Sequence, residues 1–77
     1  MVKKNLLESK MKLYGDTQAD LAAAIGISLA SFNEKLNGSN GKQFKQNEIL
    51  VIKKRYKLTA EEVDEIFFSQ DVSKTDT

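Results

Sequence analysis

The stretch from Thr17 to Gly38, TQADLAAAIGISLASFNEKLNG, constrains the fold of this chain more than any other. It reads as two short helices separated by a glycine. Thr17 carries the side-chain oxygen that caps a helix N-terminus, and Asp20 follows three residues later to complete the cap. Leu21 and Ile25 recur at helical spacing, while Ala22, Ala23 and Ala24 keep that helix slim. Gly26 stands where a helix end needs a residue at positive φ, which glycine adopts at no steric cost. Ile27 plugs the turn, Ser28 caps a second helix, Phe32 and Leu36 form its inward stripe, and Asn37-Gly38 closes it. A small residue, a glycine four positions on and an apolar residue directly after it let two helices cross closely through a short turn.

The flanking sequence supplies three more helices. The first spans about Lys3 to Tyr14, with Leu6, Leu7, Met11 and Tyr14 near one face. The fourth runs from about Gln46 to Tyr56, with Ile49, Ile52 and Tyr56 in register and Leu50 beside them, and Leu58 packs inward after it. Thr59 and Glu62 form a capping box for a fifth, Ala60 to Phe68, whose apolar side is Val63, Ile66 and Phe67. Between the third and fourth lies a polar loop whose single apolar residue, Phe44, is expected to fold back onto the core. The expected fold is all-α: one five-helix domain over 1–68, followed by a disordered acidic tail over 69–77.

With 77 residues, a single domain buries only ~60% of its unfolded surface. The chain has no cysteine and no histidine, which removes disulfides, thiolate and imidazole chemistry and the usual zinc sites. No metal or other cofactor is expected. No apolar run approaches the ~18–20 residues of a membrane span, and MVKKNLL is too short in its apolar part for a signal peptide. A cytoplasmic protein is the expectation.

The formal net charge of +1 hides a strong asymmetry. Residues 1–14 carry +3, 15–38 carry −2, 39–57 carry +5 and 58–77 carry −5. Affinity for nucleic acid follows the local basic patch rather than the sum, so the basic loop after the third helix is well placed for a phosphate backbone. Lys53, Lys54, Arg55 and Lys57 allow a second explanation, because cations at a helix C-terminus favour the macrodipole.

The pattern of Gln18, Ala22, Gly26, Ile27, Phe32 and Asn37-Gly38 resembles the helix-turn-helix of the phage-repressor and Cro-like DNA-binding family. The likeness covers roughly residues 3–68. It departs at Lys35, where many members place an apolar residue; here Leu36 follows instead. The resemblance implies a lambda-repressor-like fold whose third helix enters the DNA major groove. It also implies base contacts from the outward N-terminal part of that helix: Ser28, Leu29, Ala30, Asn33 and Glu34. Leu29 and Ala30 suit a thymine methyl, Asn33 adenine and Glu34 cytosine N4. Burial of Leu29, and solvation of Glu34 or its pairing with Lys35, are the alternatives. Backbone phosphates fall to Thr17, Gln18, Asn37, Ser39, Asn40, Lys42 and Lys45.

One such domain covers a half-site, so the resemblance implies a homodimer on a palindromic operator of double-stranded DNA, with half-sites ~34 Å apart. Phe67 and Phe68 are the candidate dimer surface, since adjacent aromatics on a short helix do not both face one core. The expected function is a sequence-specific transcriptional regulator of phage or prophage type that represses by operator occupancy. The alternative is a protein-interaction module on the same scaffold, such as an antirepressor or antitoxin. An enzyme is not expected: Glu61, Glu62, Asp64 and Glu65 read as the solvated face of a short helix. No small-molecule ligand is evident.

Overall fold

A computed structural model describes residues 2–68, and every regular element among them is helical. The order is α1 (Lys4–Leu13), α2 (Gln18–Ile25), α3 (Leu29–Asn37), α4 (Gln46–Arg55) and α5 (Ala60–Val63). A short 3₁₀ turn, Ser39–Gly41, follows α3, and a π turn, Asp64–Phe68, continues α5. The expected tail, 69–77, lies outside the described residues.

The capping chemistry accounts for most boundaries. Thr17 and Asp20 cap α2 reciprocally: the Asp20 N–H donates to Thr17 Oγ1 at 3.1 Å, and the Thr17 N–H donates to Asp20 Oδ2 at 3.0 Å. Ser28 accepts from the Ser31 N–H, and Thr59 and Glu62 repeat the reciprocal cap at α5. Gly26 ends α2 at φ +92°, a left-handed conformation that costs an L-residue ~1–2 kcal/mol. At the end of α4 the same geometry falls on a non-glycine. Lys57 has φ +52°, and the Leu58 N–H reaches back to the Lys53 carbonyl at 2.9 Å.

Leu7, Leu21, Phe32, Ile52 and Ile66 form the fully buried centre, one residue from each main segment. Each contributes ~1.5–3 kcal/mol by leaving water. Phe44 turns in from the loop as expected. Its ring lies edge-on to Phe32 and to Phe67, with centroids 5.7 Å away in both cases, so it joins α3 to the C-terminal turn.

The fifth helix is not one regular helix to Phe68. It widens at Asp64, and in the wider turn the consecutive residues Ile66 and Phe67 are both buried. Ile49, Ile52 and the α4 cap residue Tyr56 are buried as their spacing predicts, joined by Glu48, while Leu50 beside them is half exposed.

Two polar ties fix the frame. Asp16, in the α1–α2 turn, accepts from Arg55 Nε at 2.7 Å, Arg55 Nη2 at 2.9 Å and the Tyr56 hydroxyl at 2.7 Å. The Arg55 guanidinium, and then the Tyr56 phenol, hold the Asp16 carboxyl below the usual carboxylate range. At the opposite end, the Lys3 N–H donates to the Ile66 carbonyl at 2.7 Å, joining the start of α1 to the π turn.

Candidate nucleic-acid interface

The α2–α3 pair holds one helix by its inner stripe and leaves its outer face open. Phe32 and Leu36 are buried, so the residues at the start of α3 point away from the core. Leu29 is 46% exposed and Ala30 is exposed as well, so neither helix α1 nor α4 covers Leu29. Asn33 and Glu34 are half-buried on the flank of the same helix. Ser28 is exposed, but its oxygen is engaged as the α3 cap, leaving its hydroxyl hydrogen as the free donor.

Among the residues assigned to phosphates, Thr17 is exposed with its oxygen occupied by the α2 cap. Gln18 follows it as the first residue of α2, half-buried. Asn37 ends α3, exposed, and its Nδ2 donates to the Asn33 carbonyl at 2.9 Å. Ser39 and Asn40 lie exposed in the 3₁₀ turn, Asn40 with φ 56°. Lys42 and Lys45 are exposed, and neither ammonium has an ion-pair partner among the described residues. The structure thus brings Asn37, Ser39, Asn40 and Lys42 together at the exit of α3, whereas Thr17 and Gln18 belong to the entry of α2.

Lys35 does not pair with Glu34. Its ammonium lies 2.8 Å from both oxygens of Glu48, at the start of α4, and the side chains are only 11% and 7% exposed. The Glu48 carboxylate also accepts from the Lys45 N–H at 2.8 Å. Burial pushes the Glu48 carboxyl upward, but the Lys35 and Lys45 hydrogen bonds outweigh it and hold the group below its usual range. Lys35 and Glu48 thus form a buried ion pair that fastens α3 to α4. Sequence reading missed both partners. The available signal was Glu48 itself, the lone acid of the basic segment and the third residue of α4, where it can accept from the backbone N–H just before the helix.

Phe67 is buried in the core, so of the two aromatics proposed for a dimer surface only Phe68 faces outward, at 49% exposure. Phe68 borders a cleft of about 370 Å³ lined also by Val2, Lys42, Phe44, Ile49 and Phe67, with no carboxylate among the described residues of its wall. No helix among the described residues is long and apolar enough to cross a membrane. No family model matches the chain, and searches of curated proteins and of solved structures found no match.

Proposed function

We propose that this chain is a sequence-specific regulator that binds double-stranded DNA as a helix-turn-helix protein of the phage-repressor and Cro-like kind. It acts in the cytoplasm as a homodimer on a palindromic operator, which it occupies to repress transcription. The observation that carries this reading is the open outer face at the start of α3: Leu29 and Ala30 are exposed while Phe32 and Leu36 anchor the helix from behind. A helix held in that way can enter a major groove ~12 Å wide without disturbing the core. The exposed Lys42 and Lys45 beside its exit support a backbone grip. Leu29 and Ala30 point to thymine-methyl contact, with DNA shape supplying further selectivity.

The test is selection from a randomised duplex pool, followed by titration of the enriched palindrome against salt. Tight binding to the enriched site, falling steeply between ~50 and 200 mM salt and weakened by Gln18→Ala and Lys42→Ala, is the expected result. If no sequence is enriched, the proposal fails. One observation favours a protein-interaction module instead: an exposed leucine stands next to alanine at the start of α3, with no cationic side chain among its first six residues. In that case Leu29→Ala abolishes capture of a protein partner, and no duplex is bound.

A further inference from the structure

Lys4, in the first turn of α1, lies outside the helix pair and outside the basic loop. Its ammonium nevertheless donates to Asn37 Oδ1 at 3.2 Å, across to the far end of α3. The Asn37 amide is held from both sides, since its Nδ2 donates to the Asn33 carbonyl at 2.9 Å. The orientation of that amide is thereby fixed, with the oxygen toward Lys4 and the nitrogen toward α3. Each group keeps unused donors: an ammonium has three N–H bonds and an amide nitrogen two.

The partner of Lys4 is electrically neutral, so the lysine charge is positioned but not compensated. The other cations that bridge elements here meet carboxylates: Lys10 meets Glu62, Lys35 meets Glu48 and Arg55 meets Asp16. Glu65 shares a shallow depression with Lys4 but forms no ion pair with it. An exposed ammonium, hydrogen-bonded to an amide that keeps one unused N–H at the exit of α3, offers an oxyanion two donors. The nearest polyanion under the reading above is the backbone of the DNA whose groove α3 occupies.

We infer that Lys4 and Asn37 form a two-residue phosphate clamp that extends the DNA interface from α2 and α3 onto α1. This rests on the DNA-binding reading. Lys4 contacts the phosphate directly and also positions the Asn37 amide for it. The clamp adds affinity without adding base preference, because a phosphate carries no sequence information.

The test measures fluorescence anisotropy of the full chain on its selected palindrome and on random duplex from ~50 to 200 mM salt. The proteins are wild type, Lys4→Gln, Lys4→Arg, Asn37→Ala and the Lys4→Gln/Asn37→Ala pair. In Lys4→Gln the slope of log affinity against log salt should fall by about 0.9 per bound chain. The ratio of specific to random binding should stay unchanged, and so should the melting temperature. Lys4→Arg should restore the slope. Asn37→Ala should cost less affinity in the Lys4→Gln background than alone, as expected for coupled residues. A wild-type slope in Lys4→Gln, with the palindrome still selected by wild type, overturns the clamp and leaves the DNA reading standing. Failure of wild type to select any duplex overturns both.

Discussion

Replacing Lys35 by methionine tests the buried ion pair with α4. The substitution leaves an unbranched apolar side chain one heavy atom shorter and removes the charge and its hydrogen bonds. Glu48 is then left 7% exposed by side chain, with the Lys45 N–H as its remaining partner. Stranding one member of a buried pair costs ~3–5 kcal/mol; because that N–H stays, the low end applies, about 3 kcal/mol. A chain of this length has a total stability of roughly 4–11 kcal/mol, so the loss is a large share of it. Melting by circular dichroism should fall by ~12–24 °C. The pH dependence sharpens the test. In wild type the folded-state pKa of Glu48 is depressed, so its contribution is present above the unfolded pKa and is lost as pH falls through the folded pKa. In Lys35→Met the same carboxyl loses its cation while its burial remains, so its folded pKa rises. The stability gap between the two proteins should therefore be full at neutral pH and narrow as pH falls through the carboxylate range. Replacing both residues, as Lys35→Met/Glu48→Leu, should recover most of the loss, leaving about 1 kcal/mol for the missing backbone acceptor. Equal melting of wild type and Lys35→Met at pH 7, or a gap that ignores pH, would refute the buried-pair reasoning.

Gly26→Ala should destabilise by ~1–2 kcal/mol through backbone strain alone, since an added Cβ meets nothing within 4 Å; Lys57→Gly should stabilise by about 1 kcal/mol for the mirror reason. Urea titration reads both, and a neutral Gly26→Ala would show that the turn does not depend on its left-handed φ. Phe67→Ala should cost ~3–5 kcal/mol of folding stability, whereas Phe68→Ala should leave melting nearly unchanged and shift a dimer toward monomer in ultracentrifugation. Loss of the fold in Phe68→Ala would place that ring in the core.

The elements that were legible in the sequence carry their signals locally. Thr17 with Asp20, Ser28, and Thr59 with Glu62 mark helix starts within four residues, and Gly26 marks an end by its lack of a side chain. Phe44 was legible because it was the only apolar residue in its loop. What escaped was nonlocal. Asp16 finds Arg55 and Tyr56, Lys35 finds Glu48, and Lys4 finds Asn37, all pairings made by the packing of separate helices. Charges that look interchangeable in a lysine-rich sequence are distinguished only by that packing. The end of Lys57 at positive φ was hidden for a different reason, because a left-handed lysine leaves no compositional mark. At the candidate site, the exposure of Leu29 could not be separated from burial by periodicity, as an apolar residue at a helix start fits either face.

The hydrogen bond from the Lys3 N–H to the Ile66 carbonyl closes nearly the whole described chain into a loop. Closing so long a loop carries a large entropic cost, and contacts of high sequence separation form slowly. The capped pair α2 and α3, with α4 packed on it, is by contrast assembled from near neighbours. The expected order of folding therefore has the central helices forming first and the two ends clasping last. Under native conditions the same order runs in reverse: amide exchange should be fastest around Lys3 and the π turn and slowest in α2 and α3. Helices α2 and α3 would then outlast the clasp, so partial opening of the ends need not dissolve the exposed face at the start of α3.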